Sequence, residues 1–127
     1  MEAVVHLDTH LVAWLFAADK KRLKPFARAI EKHGLVYSPM VELELQYLFE
    51  IERTTQPADA VLSQLTSSVG LMRSTAEFGR VVEAARRYAW TRDPFDRLIV
   101  ATAEVDGAPL LTSDRTILKN CRFARRR

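Results

Sequence analysis

Short apolar stretches alternate with segments of helical periodicity along this chain, and that alternation restricts its possible folds more than any other feature. Residues Ala3 to Leu7 form a mostly apolar run ending at Asp8, after which Leu11, Trp14, Leu15 and Ala18 recur at helical spacing. A strand leading into a helix gives this pattern. Leu35 to Tyr37 and Pro109 to Thr112 read as second and third short strands, and a last one is expected near Cys121 to Ala124. Strands separated by helices predict an α/β domain with a small, mainly parallel sheet. In such sheets ligands gather at the carboxyl ends of the strands, where Asp8 and Asp114 both fall.

Punctuation residues set the helix boundaries. Asp19 to Lys24 reads as a charged loop, and Pro25 opens a helix running to about His33, with Gly34 ending it. Ser38 as cap and Pro39 at the first helical position start an apolar-periodic helix that reaches about Arg53. After a break at Thr54 to Gln56, Pro57 opens another helix, and Val69 to Met72 forms a brief extended piece around Gly70. Ser74 and Glu77 have capping-box spacing ahead of Phe78, Val81, Val82, Ala85 and Tyr88, which share one face and predict a helix of about four turns. Asp93 and Pro94 begin a helix to about Val105, apolar almost all round and therefore buried, and Gly107 closes it. A short helix follows from about Thr116.

The 127 residues suit one compact domain, residues 1–127, with a core that needs no staples. A hydrophobic share of 48% beside a charged share of 28% excludes disordered and fibrous classes. No apolar run approaches the roughly 20 residues of a membrane span, and the amino terminus lacks a leader pattern, so no membrane association and a cytoplasmic location are expected. Cys121 is the one cysteine and has no thiol partner. The net charge of +3 is unevenly spread, because everything after Asp114 is neutral or basic: Arg115, Lys119, Arg122, Arg125, Arg126 and Arg127. Such an end either steers a polyanion such as RNA or is a solvated terminus. A second basic group at Lys20, Lys21, Arg22 and Lys24 reads as a solvated loop, and Trp14 and Trp90 read as packing residues.

The segment from Ser38 to Leu48 carries two acids, Glu42 and Glu44, whose two-residue spacing forbids a shared helix face. Steps of three and four group Met40, Glu44, Tyr47, Leu48 and Ile51, which embeds Glu44 in an apolar stripe. A carboxylate so placed needs a basic partner, a bound cation or a proton. Asp93 caps the helix that follows it, and Asp96, in that helix's first turn, is either a dipole-stabilised acid or part of a site. The predicted topology brings Asp8, Glu44, Asp96 and Asp114 to one sheet edge. Clustered carboxylates require a counter-charge, and an oxygen-only donor set favours Mg²⁺ or Mn²⁺ over Zn²⁺. Metal-assisted phosphodiester hydrolysis is the natural reaction class. An aspartyl-nucleophile phosphotransferase would want an acid two residues after Asp8, where His10 stands.

These residues resemble those of PIN-domain proteins, specifically the VapC type of toxin from toxin–antitoxin pairs. The matching pieces are Leu7-Asp8-Thr9-His10, Ser38-Pro39 through Glu44-Leu45, Trp90 through Ala101 with its Arg92-Asp93-Pro94-Phe95-Asp96-Arg97, and Leu110 through Asp114. The resemblance spans nearly the whole chain and implies a three-layer α/β/α fold with Mg²⁺- or Mn²⁺-dependent endoribonuclease activity. It also implies a cognate antitoxin partner and a homodimer. By position, Asp8, Glu44, Asp96 and Asp114 are the metal-binding catalytic acids. Asp93 is an auxiliary acid, Thr112 orders the site through its hydroxyl, and Arg97 and Arg115 are candidate RNA contacts. The alternative function is a PIN-like module that binds RNA or protein without cutting. The extra acid Glu42 and the terminal Arg125-Arg126-Arg127 depart from the family pattern.

Overall fold

A computed structural model describes residues 3–127 of the chain. Strands β1 (Val4–Leu7), β2 (Gly34–Tyr37), β3 (Met72–Arg73), β4 (Leu110–Leu111) and β5 (Ala124–Arg125) form one sheet in the order β3-β2-β1-β4-β5. Every pairing is parallel. On the central strand β1, Val5, His6 and Leu7 are each no more than 1% exposed. Successive strand side chains point to opposite faces, so burial of all three requires cover on both faces, the three-layer α/β arrangement.

The cover is supplied by α1 (Thr9–Phe16), α2 (Lys20–Leu23), α3 (Ala27–Lys32), α4 (Pro39–Glu50), α5 (Ala58–Val69), α6 (Phe78–Ala85), α7 (Pro94–Asp106) and α8 (Arg115–Asn120). Helices α1, α4 and α5 pack on one another, and α6 packs along α7. The main core joins Leu7, Leu11, Leu45, Leu71, Ile99 and Leu110. Each buried leucine of this kind contributes about 1.5–3 kcal/mol by removing apolar surface from water. On the face opposite Val5 and Leu7, the His6 Nε2 sits 2.7 Å from Asp106 Oδ2, and Ser74 Oγ donates to the same oxygen at 2.7 Å. That cluster ties β1 and the segment after β3 to the last turn of α7. Burial holds the His6 imidazole below its ordinary pKa against the opposing pull of Asp106.

Several sequence expectations change. The presumed loop at Lys20 holds a helical turn, because the Asp19 carboxylate caps it by accepting from Arg22 N at 3.1 Å. The helix expected from Pro25 is split into a 3₁₀ turn, Lys24–Phe26, and α3. Gly34 does not end that helix but begins β2, paired with Val4. Gly70 is the left-handed cap of α5 at φ 70°, so extended backbone resumes only at Met72. Glu77, not Ser74, caps α6, accepting from Gly79 N at 2.8 Å and Arg80 N at 3.0 Å, while the Ser74 hydroxyl is drawn to Asp106. Helix α6 has 8 residues rather than about four turns. The last strand lies later than expected and takes in Arg125, whose carbonyl accepts from Thr112 N at 2.9 Å.

Candidate active site

Helices α1 and α7 pack against α4, and the start of α8 lies near enough for its Asp114 to act on Asp8 and Asp96. The starts of α1, α7 and α8 are each capped by an aspartate. Asp8, directly after β1, caps α1 by accepting from Thr9 N at 2.8 Å. Asp93 caps α7 through Phe95 N at 2.9 Å, and Asp114 caps α8 through Thr116 N at 2.8 Å and Ile117 N at 3.1 Å. The positive ends of the helices temper this concentration of negative charge. They do not remove it.

The register of β1 against β4, with Leu7 opposite Leu111, sets Asp8 beside Thr112. The fully buried Thr112 hydroxyl donates to Asp8 Oδ2 at 2.6 Å and accepts from Asp114 N at 3.0 Å. One hydroxyl thereby fixes the spacing of two acids that lie far apart in sequence. Glu44 enters from α4 and accepts from Thr9 Oγ1 at 2.5 Å. Its face was anticipated for a reason that needs correcting. Val41 and Leu45 are the buried residues of α4, whereas Tyr47 and Ile51 are 46% and 43% exposed. Glu44 flanks the buried stripe and reaches the acids from its edge. Glu42 turns elsewhere and pairs with Arg73 at 3.7 Å.

The acids perturb one another. Burial, then the charges of Asp93, Asp8, Asp114 and Glu44, push the Asp96 carboxyl up to about 7. Burial raises Asp8 most, with Asp114 adding to it and the bonds from Thr112 and Thr9 opposing. Glu44 is raised by burial and by Asp8 and Asp93, while Thr9 and His10 pull it down. A helix N-terminus alone stabilises an acid by about 0.3–1 kcal/mol and lowers its pKa, so a net rise at Asp96 means burial and repulsion win there.

Among the described residues no ion pair answers this charge, although His10 lies near enough to favour the ionised forms of Asp8 and Glu44. Ion pairs among the described residues join His6 to Asp106, Arg22 to Asp19, Arg73 to Glu42 and Arg87 to Glu104, none of them at the cluster. The Arg97 guanidinium turns away and donates to Ala85 O at 3.2 Å and Arg86 O at 3.4 Å, closing the end of α6. Those two bonds use two of its five N–H donors. Arg115, the first residue of α8, is exposed. Thr9 was not singled out from sequence as a partner of the acids; its adjacency to Asp8 at a helix start was the available signal.

Among the described residues no three His, Cys, Asp or Glu side chains converge closely enough to ligate one ion jointly. A small hard cation that keeps several waters, held directly by one or two carboxylates with the others reached through water, suits this wider spacing. The oxygen-only donors and their unanswered charge both fit Mg²⁺ or Mn²⁺.

Comparison with known proteins agrees with the fold. Residues 5–122 match the PIN domain family model. The chain is 35% identical over 121 residues to Ribonuclease VapC22 of Mycobacterium tuberculosis, covering 89% of this chain and 88% of that protein. Its fold is similar to that in the crystal structure of DNA-bound VapBC from Salmonella typhimurium, with a TM-score of 0.62, 17% identity, and 97% and 96% of the two chains covered. It is also similar to that of VapBC2 from Rickettsia felis bound to a promoter DNA fragment, with a TM-score of 0.61, 15% identity, and 91% and 92% covered. Matched along nearly its whole length, the chain belongs to the PIN domain family.

Proposed function

We propose that this chain is a divalent-metal-dependent endoribonuclease that hydrolyses RNA phosphodiester bonds in the cytoplasm as the toxin of a toxin–antitoxin pair. The observation that carries the reading is the set of mutually repelling carboxylates joined by no ion pair among the described residues, led by Asp96 at a pKa of about 7. The similarity to a protein named Ribonuclease VapC22 and to VapBC assemblies supports the choice of RNA and of an antitoxin as partner.

Asp96 accepts no hydrogen bond that lowers its pKa, which leaves both oxygens free for a cation. Each Asp8 oxygen has one bonded donor and a second lone pair to offer. Asp8 and Asp96 would therefore hold Mg²⁺ or Mn²⁺ most directly. When bound, the ion supplies charge neutralisation at the phosphate and acidifies a water. Asp114 spends one oxygen on its cap and has the other to offer, and Glu44, steadied by Thr9, would orient an attacking water from the α4 side. Thr112 holds Asp8 and Asp114 in place, and Asp93 adds negative charge to the same end of α7. Arg115 meets the flanking phosphates.

The test is cleavage of total RNA by wild-type, Asp8→Asn and Asp96→Asn proteins with Mg²⁺, Mn²⁺ or chelator. Metal-dependent cleavage by wild type and a loss of about 100-fold or more in each variant are expected, as for removal of a group that stabilises transition-state charge. Metal-dependent, wild-type rates in both variants would sink the assignment, and RNA binding without any cleavage would favour the non-cutting module. Copurification with the product of an adjacent small reading frame tests the antitoxin, and sedimentation tests the homodimer.

A further inference from the structure

A recess of about 590 Å³ is lined in part by Trp14, Asp19, Lys21, Arg22, Arg126 and Ser113, the residue before Asp114. Its size falls within the range of small-ligand sites. We propose that this recess is a subsite for single-stranded RNA, receiving a nucleotide next to the one whose phosphate meets the acids; the proposal rests on the ribonuclease reading above.

Two basic groups that are remote in sequence come together here. Lys21 and Arg22 arrive from α2, and Arg126 arrives from the chain end just beyond β5. All three are exposed. They face one carboxylate, Asp19, which is already engaged: it accepts from Arg22 N at 3.1 Å and lies 3.7 Å from Arg22 Nε. The wall is therefore cationic. Ser113, in the lining of the recess, is flanked in the chain by Thr112, bonded to Asp8, and by Asp114. Cation-lined clefts concentrate polyanions, and one seated on this wall lies against the residue that precedes Asp114.

Planar groups distinguish a nucleic-acid strand from an acidic peptide. The Arg22 guanidinium carbon lies 5.6 Å from the centroid of the Trp14 ring, and the His10 ring lies 6.2 Å from it. Aromatic rings and guanidinium planes are the surfaces on which unpaired bases stack, without regard to sequence. Trp14 is half-buried, so part of its ring is open to the recess.

The experiment measures binding of a short fluorescein-labelled oligouridine by anisotropy in chelator, which removes cleavage from the readout. Each phosphate contact to a single strand contributes about 0.7 to the salt slope, so Lys21→Ala, Arg22→Ala and Arg126→Ala together should lower the slope by about 2. Trp14→Ala should weaken binding by about tenfold, consistent with loss of one stacked base, while Trp14→Phe retains most of the affinity. In a Trp90→Phe background, oligouridine should quench the remaining fluorescence of Trp14. The exposed basic variants keep the test decisive if Trp14→Ala fails to fold. Wild-type slope and affinity in the basic triple variant, or no quenching, would overturn the subsite even if cleavage is intact. Absence of cleavage with the slope change intact would overturn the catalytic reading alone. Loss of antitoxin capture in the triple variant with RNA affinity unchanged would assign the recess to an acidic protein segment and refute the proposal.

Discussion

Asp96→Asn should stabilise the metal-free protein above neutral pH and leave it nearly unchanged in mild acid. The Asp96 carboxyl rises from 3.8 to about 7 on folding. At 1.36 kcal/mol per unit, that rise corresponds to at most about 4 kcal/mol. Because Asp96 is only half-buried, solvent screening reduces the effect to about 2 kcal/mol. A carboxyl whose folded pKa lies above its unfolded value contributes stability that is fully present below the unfolded value. It is lost as pH rises through the folded one, since the unfolded chain then holds fewer protons. Wild type should therefore lose between about 1 and 2 kcal/mol of stability through Asp96 from pH ~5 to pH ~8, and the asparagine variant should not. Urea denaturation in chelator at the two pH values measures both slopes, and the difference between proteins cancels the titrating groups remote from the cluster. Added Mg²⁺ should then raise the midpoint of wild type at the higher pH by mass action and move the variant much less. Equal pH slopes in the two proteins, or equal stabilisation of both by Mg²⁺, would refute the account of Asp96 as a repelled acid awaiting a cation.

Thr112→Val removes the donor to Asp8 and the acceptor for Asp114 N in a fully buried position, at an expected cost of about 1–3 kcal/mol. It should also slow RNA cleavage by about 10- to 100-fold, as loss of a group that orients a metal ligand does, with Thr112→Ser restoring both stability and rate. Gly107 closes α7 at φ 66° with open space where a side chain would sit, so Gly107→Ala meets backbone strain alone. A loss of about 1 kcal/mol in urea denaturation, with unchanged cleavage, is expected.

The capping signals were legible in the sequence wherever the capping side chain had no stronger competitor. Ser38-Pro39 and Asp93-Pro94 start their helices as anticipated. Ser74 does not, because Asp106, 32 residues away, takes its hydroxyl, a competition no local pattern reveals. The Asp19 cap was overlooked because the cationic run after it looked like a loop. Glu44 was placed on the right side of α4 from an apolar stripe that is not the buried one, since Tyr47 and Ile51 belong to the exposed surface.

What the sequence determined by itself is local: the alternation of strand and helix, the acids at strand ends and helix starts, and hence the α/β class. These follow from periodicity and capping, which act over a few residues. Tertiary structure decided what the acids are to one another. The pairing of β1 with β4 puts the Thr112 hydroxyl between Asp8 and Asp114, and burial beside four other carboxylates makes Asp96 a repelled acid rather than a dipole-stabilised one. Electrostatic interaction depends on distance and burial, and neither is written in the order of residues along the chain.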